Sequence, residues 1–169
     1  MGKKEDRQHI FIVGSKGIPA KYGGFETFVE MLAKYNQDDF KLHIACMSDK
    51  TGEYIYNNAV CTQIKVPEIG SAKAVYCDCK ALEYYISYCR KHSEINQPVF
   101  YVLACRIGFC IEHYQRKIHQ IGGKLYVNPD GNEWKRKKWS LPVRCYWKFS
   151  ERQMVKNADA LICDSINIE

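Results

Sequence analysis

The chain has 169 residues, 46% of them hydrophobic, 26% charged and 13% aromatic. That is enough apolar material for the core of one domain and too much for a disordered or low-complexity chain. The formal charge of +6 is the excess of 25 basic over 19 acidic residues. No apolar run approaches the ~20 residues a membrane-spanning helix needs, and the polar start from Met1 to His9 lacks the pattern of a secretory signal.

In chain order, residues 9–14 form a short apolar run closed by Gly14, the pattern of a buried strand. Phe25, Phe28, Val29 and Leu32 then recur at the spacing of one helix face. Residues 40–47 and 60–66 are strand-like, the second closed by Pro67. Leu82, Tyr85, Ile86 and Cys89 mark a second helix, and residues 99–104 a buried strand behind Pro98. Ile107, Cys110, Ile111, Tyr114, Ile118 and Ile121 mark a third helix, stopped by Gly122 and Gly123. Residues 125–127 make a short strand, and Asn128 to Gly131 a strong turn signal. Ser140 is placed to cap a helix with Pro142 in its first turn, running to about Asn157. Residues 160–163 read as a last strand, and Asp164 and Ser165 as the cap of a further helix, so the chain reads as half of a larger protein.

Strands alternating with helices predict an α/β domain: a doubly wound, mostly parallel sheet with helices on both faces. Such sheets bind ligands outside the carboxyl ends of their strands. The loops of interest therefore follow Gly14, Met47, Val66, Ala104, Val127 and Cys163. In the first, Gly23 and Gly24 immediately precede a helix, so backbone N–H groups and the positive helix end can face an anion, with Lys16 and Lys21 adding charge. The plain alternative is a turn whose glycines serve only packing. GxGxxG is absent, the first acid after the second strand is Asp49, and no Walker A lysine follows the first strand, which argues against a dinucleotide enzyme or an NTPase.

The loop after the strand at 125–127 places Asp130 and Glu133 beside a cationic run. A carboxylate there can accept a hydrogen bond from a sugar hydroxyl or help deprotonate one; the alternative is a solvated loop with balanced charge. Between Trp134 and Lys148 lie Lys135, Arg136, Lys137, Lys138, Arg144 and Lys148, no acid, and all three tryptophans. Such a surface faces something anionic: a phosphate-bearing ligand, a nucleic acid or an acidic lipid surface. Nine cysteines without an export signal read as mostly buried free thiols in a reducing compartment, and their spacings match no zinc site. The histidines read as structural (His9, His43) or surface residues (His92, His113, His119).

The segment from Gly14 to Glu30, with its Gly-Ser-Lys-Gly-Ile-Pro start and Tyr-Gly-Gly-Phe-Glu centre, resembles the opening of bacterial rhamnosyltransferases of the retaining, two-domain GT-B class. The segment from Asn128 to Trp139 resembles a second signature of the same N-terminal domain, and the likeness extends over nearly the whole chain. Lys16 stands where arginine is common in that pattern, and Asn132 where an apolar residue is common.

The resemblance implies that residues 1–169 are the Rossmann-like, acceptor-side half of a GT-B enzyme, without the C-terminal donor-binding domain and inactive alone. The implied reaction transfers rhamnose from dTDP-rhamnose to a polysaccharide or a polyprenyl-phosphate-linked glycan. It needs no metal and no cofactor beyond the nucleotide sugar. Asp130 is the implied catalytic residue, and Lys16, Gly23, Gly24, Glu26, Asn132, Glu133, Trp134, Lys135 and Arg136 the implied substrate contacts. A cytoplasmic protein, peripheral on the inner face of the membrane through its basic, Trp-containing stretch, is the expected setting. A non-catalytic nucleic-acid-binding or other nucleotide-binding α/β module is the competing reading; the common RNA-binding sheets need aromatic strand motifs that are not evident.

Overall fold

The computed structural model describes residues 7–36, 39–129 and 131–163. The domain is α/β, built on one seven-stranded sheet. Its elements are β1 (Gln8–Val13), α1 (Gly24–Tyr35), β2 (Phe40–Ser48), β3 (Gly52–Tyr56), β4 (Ala59–Lys65), α2 (Lys73–Lys91), β5 (Val99–Leu103), α3 (Ile111–Gln120), β6 (Lys124–Asn128), α4 (Leu141–Asn157) and β7 (Ala160–Leu161). The strand order is β3-β4-β2-β1-β5-β6-β7. Every neighbouring pair is parallel except the β3–β4 hairpin.

The alternation of β1 divides the core. Phe11 and Val13 point to one face, where α2, α3 and Met154 of α4 pack with Tyr85, Ile111 and Ile118. Ile12 points to the other, where Val29 and Ala33 of α1 meet Leu42, Ile44, Tyr101 and Leu103. Burial on both faces explains why the central strands read as nearly unbroken apolar runs.

The chain leaves β1 toward β2 on one side and later returns to β5 on the other. The carboxyl ends of β1 and β5 therefore form the switch point where α/β sheets open a crevice. Gly14 ends β1 there with φ at 106°, and a side chain on it would collide with the backbone of Leu103. Only glycine satisfies both conditions. The guanidinium of Arg106, just past β5, donates to the Gly14 carbonyl and pairs with the buried Asp78 of α2 at 3.0 Å.

Three local features depart from the sequence reading. β3 was not among the expected strands; it forms with β4 through Asn57 and Asn58, whose φ values of 47° and 60° suit a two-residue hairpin turn. The third helix begins at Ile111 rather than Ile107, because Gly108 is packed against Ser150 of α4, whose hydroxyl accepts the Gly108 N–H at 2.8 Å and donates to the Cys105 carbonyl at 2.6 Å. Ser140 precedes α4 but makes no side-chain capping bond; Pro142 does lie in the first turn. The expected cap at Asp164 and Ser165 lies outside the described residues.

Candidate functional site

The loop between β1 and α1 is fastened by the helix it leads into. The Lys16 N–H donates to Glu26 Oε1 at 2.8 Å, and the Ala20 N–H to Glu30 Oε2 at 3.0 Å. The β3–β4 hairpin adds two more ties: the Tyr56 hydroxyl donates to Glu30 Oε1 at 2.6 Å, and the Tyr54 hydroxyl to the Ile18 carbonyl. The Tyr56 bond is the main cause that lowers the Glu30 carboxyl below its ordinary range. Two α1 carboxylates thus set the loop's shape, which explains glutamates on a helix face otherwise used for packing.

Two clefts flank the start of α1. The first, about 700 Å3, lies between this loop and the ends of β2 to β4, and Lys16, Lys21, Glu26, Cys46, Asp49 and Tyr54 are among its walls. Hydrogen bonding from Cys61 is the largest cause that lowers the Cys46 thiol to about 7. The second, about 620 Å3, is lined by Gly24, Phe25 and Phe28 of α1, Tyr101 of β5, Asn128 of β6, Glu133 and Arg136 beyond it, and Ile162 and Cys163. It lies on the α1 face of the sheet at the carboxyl ends of β5 and β6, because Tyr101 packs in the α1-side core.

The second cleft is where the two sequence signatures meet. Only β5 separates β1 from β6 in the sheet, so loops more than a hundred residues apart in sequence open side by side. Gly24 contributes from one and Glu133 and Arg136 from the other. A Cβ built on Gly24 would meet nothing within 4 Å, so packing does not require glycine there. Gly23 differs: it is the N-cap, with φ at 120°, and a Cβ on it would strike the Glu26 carboxylate.

After β6 the chain passes Asn132, which has φ at 60°, into a single 3-10 turn at Glu133–Lys135. The Glu133 carboxylate is the hub of this segment. It accepts the Trp139 indole N–H at 2.8 Å, pairs with Arg136 at 2.9 Å and has Lys138 at 3.8 Å. The Arg136 guanidinium therefore enters the cleft wall already oriented. The Trp134 indole donates to Glu151 at 3.3 Å, and its ring lies beneath the ammonium groups of Lys135 and Lys148, 5.1 and 4.9 Å from the ring centre. Lys138 covers Trp139 in the same way at 4.7 Å. The rings of Trp134 and Trp139 are half-buried and covered by lysine ammonium groups, a cation–π cluster rather than bare surface.

Of the sequence-predicted residues, Gly24, Glu133 and Arg136 line the second cleft, and Lys16 and Glu26 the first. Gly23 lies at the start of the helix between them. Asn132 shapes the turn, and Trp134 and Lys135 belong to the cation–π cluster. Asp130 lies outside the described residues. Sequence reasoning missed the walls supplied by Phe28, Tyr101 and Asn128. It also missed the Arg106–Asp78 pair, in which burial outweighs the arginine and pushes the Asp78 carboxyl up to about 6. Arg106 stands two residues past Ala104, in a loop at a strand's carboxyl end, and that position is its signal in the sequence.

All nine cysteines are free, five of them buried. No group of three or more His, Cys, Asp or Glu side chains gathers as a metal site among the described residues. None of the helices among these residues is long and apolar enough to cross a membrane.

No curated protein matches the chain. Residues 7–169 match the model of a domain of unknown function, DUF1972, a domain found in glycosyltransferase-associated proteins of the GT-B type. With all but its first six residues matched, the chain belongs to the DUF1972 family.

Proposed function

We propose that this domain is the N-terminal, acceptor-side half of a GT-B-type glycosyltransferase, and that the complete protein transfers rhamnose from dTDP-rhamnose to a polysaccharide or lipid-linked glycan. The observation that carries the reading is the shared cleft, with Gly24 of the first signature facing Glu133 and Arg136 of the second. Breaking a sugar–phosphate bond leaves negative charge on the diphosphate and positive charge on the sugar carbon. The open backbone at the start of α1 and a pre-oriented guanidinium are donors suited to the departing anion. Lys16 adds charge from the neighbouring cleft. The aromatic wall of Phe28 and Tyr101, whose rings meet edge to face at 6.3 Å, suits the apolar face of a deoxysugar. The role of Asp130, orienting or deprotonating the acceptor hydroxyl, rests on the sequence resemblance.

The basic segment supports a second part of the proposal, peripheral contact with an anionic membrane surface at its inner face. Leu141 is 72% exposed, Phe149 and Tyr146 are also exposed on α4, and Lys137, Lys138 and Lys148 accompany them. Each lysine near an anionic leaflet contributes ~1 kcal/mol. Nucleic acid is the weaker reading, because the Trp134 and Trp139 rings that would stack on bases carry lysines of their own.

The test uses the full-length protein with its natural C-terminus. Sugar nucleotides are screened by thermal shift, and release of dTDP from dTDP-rhamnose is followed with a lipid-linked acceptor. A shift specific to dTDP-rhamnose, with turnover lost in Asp130→Asn while folding is retained, is the expected result. Arg136→Ala is expected to weaken kcat/KM by at least about tenfold, the scale of a lost charged hydrogen bond. Unchanged turnover in both variants would remove this cleft from the reaction.

A further inference from the structure

Nothing in the proposed transfer uses the cysteines, yet two of them form an unusual pair. Cys79 lies in α2, and Cys110 is the residue immediately before α3. Their Sγ atoms are 3.7 Å apart, and both side chains are half-buried rather than sealed in the core. Cys46, Cys61, Cys77, Cys89 and Cys105 are buried, and Cys145 is exposed. A disulfide needs the sulfurs to close from 3.7 Å to about 2.05 Å. The Cys110 thiol also has an alternative contact, the Ile107 carbonyl at 3.4 Å, so it is not locked in one orientation.

We propose that Cys79 and Cys110 are an oxidative modification site, a dithiol that a small-molecule disulfide converts to an intramolecular disulfide. In the first step the Cys79 thiolate attacks one sulfur of the small disulfide. An S–S bond forms between them and the other half leaves as a thiolate. In the second step the Cys110 sulfur attacks Cys79, the new S–S bond joins the two protein sulfurs, and the second small thiolate leaves. The two protons from the protein thiols end on the two released small thiols, and the two electrons lost by the protein reduce the small disulfide.

The contact between the two sulfurs, 3.7 Å apart, favours Cys79 as the attacking one. Hydrogen bonding from Cys110 lowers its thiol below the ordinary range, with a further contribution from Tyr114, while the same contact and burial raise Cys110. The consequence is local and mechanical. Cys79 follows Asp78 directly, and Cys110 closes the loop that carries Arg106. The bond would staple α2 to the loop beside the switch-point crevice, alongside the ion pair that already joins them.

The experiment treats the reduced, folded protein with oxidised glutathione, blocks remaining thiols with iodoacetamide and maps the peptides without reduction. The expected product is a cross-link between the Cys79 and Cys110 peptides, two hydrogens lighter than their sum. Cys110→Ser is expected to trap glutathione on Cys79, and Cys79→Ser to leave Cys110 at least about tenfold slower to react than Cys79 in that trap. Glutathione appearing on Cys145 while Cys79 and Cys110 stay free thiols would overturn the proposal, as would separate, unlinked adducts on the two. Wild-type protein carries the decisive readout, so a variant that fails to fold does not obscure it.

Discussion

Acidification should expose the histidine pair at the amino-terminal end of the sheet. His43 is 3% exposed, stacks on Phe11 at 4.4 Å and has Nε2 3.1 Å from Nδ1 of His9. Burial is the largest cause holding His43 down to about 3 and His9 to about 4. Both are therefore neutral in the folded protein at pH 5.5, whereas an unfolded histidine with a pKa near 6.5 is mostly protonated. The unfolded chain binds the proton first, so this stability is complete above about pH 7 and is lost as the pH falls from 6.5 toward the folded values. Between pH 7.5 and 5.5 the loss from His43 alone is about 1.4 kcal/mol, from the linkage relation. Asp78 acts in the opposite direction: its raised pKa makes the folded state bind a proton more readily, so acidification to pH 5.5 favours it.

Comparing wild type with His43→Phe separates the two. The substituted ring keeps the stack on Phe11, and any packing cost is the same at both pH values and drops out of the difference. Urea unfolding at pH 7.5 and 5.5 should give a pH-dependent loss about 1.4 kcal/mol smaller in the variant, while the Asp78 contribution cancels. Equal losses in the two proteins, within about 0.3 kcal/mol, would refute the argument that burial of His43 controls its proton.

Ser150→Ala removes the hydroxyl that accepts the buried Gly108 N–H and donates to the Cys105 carbonyl, and should cost about 1–3 kcal/mol in urea unfolding. Arg106→Ala strands the Asp78 carboxylate and should cost about 3–5 kcal/mol at pH 8, less at pH 5 where Asp78 can take up a proton; a pH-independent cost would count against the ion pair. Gly14→Ala should abolish folding, seen as loss of the circular-dichroism transition, while Gly24→Ala should fold and gain up to about 1 kcal/mol. If Gly24→Ala is more stable yet binds sugar nucleotide normally in the full-length protein, no ligand approaches that backbone closely.

Most of the fold was legible because parallel strands buried on both faces write themselves as short apolar runs separated by helix periodicity. The exception, β3, is an edge strand whose outer residues Gly52, Glu53 and Ile55 are exposed, so it carries little apolar pattern. Its signal was the Asn57–Asn58 turn. The start of α3 was misjudged because Ile107 and Cys110 fit the helical period, whereas Gly108 is committed to a contact with Ser150, 42 residues away. The meeting of the two signatures at one cleft could be expected from strand topology, since both follow central strands. The occupied tryptophan faces could not: spacing records that lysines are near, not that they lie over the rings. Arg106 and Asp78 are 28 residues apart on different elements, and nothing in the sequence ties them together.

The first turns of α1 form a partition between the two clefts. Glu26 belongs to one side of it, and Gly24, Phe25 and Phe28 to the other. A helix held at its start by hydrogen bonds to its own preceding loop moves as one piece with that loop. The two chambers share this wall, so a substitution in the first turn of α1 reshapes both at once.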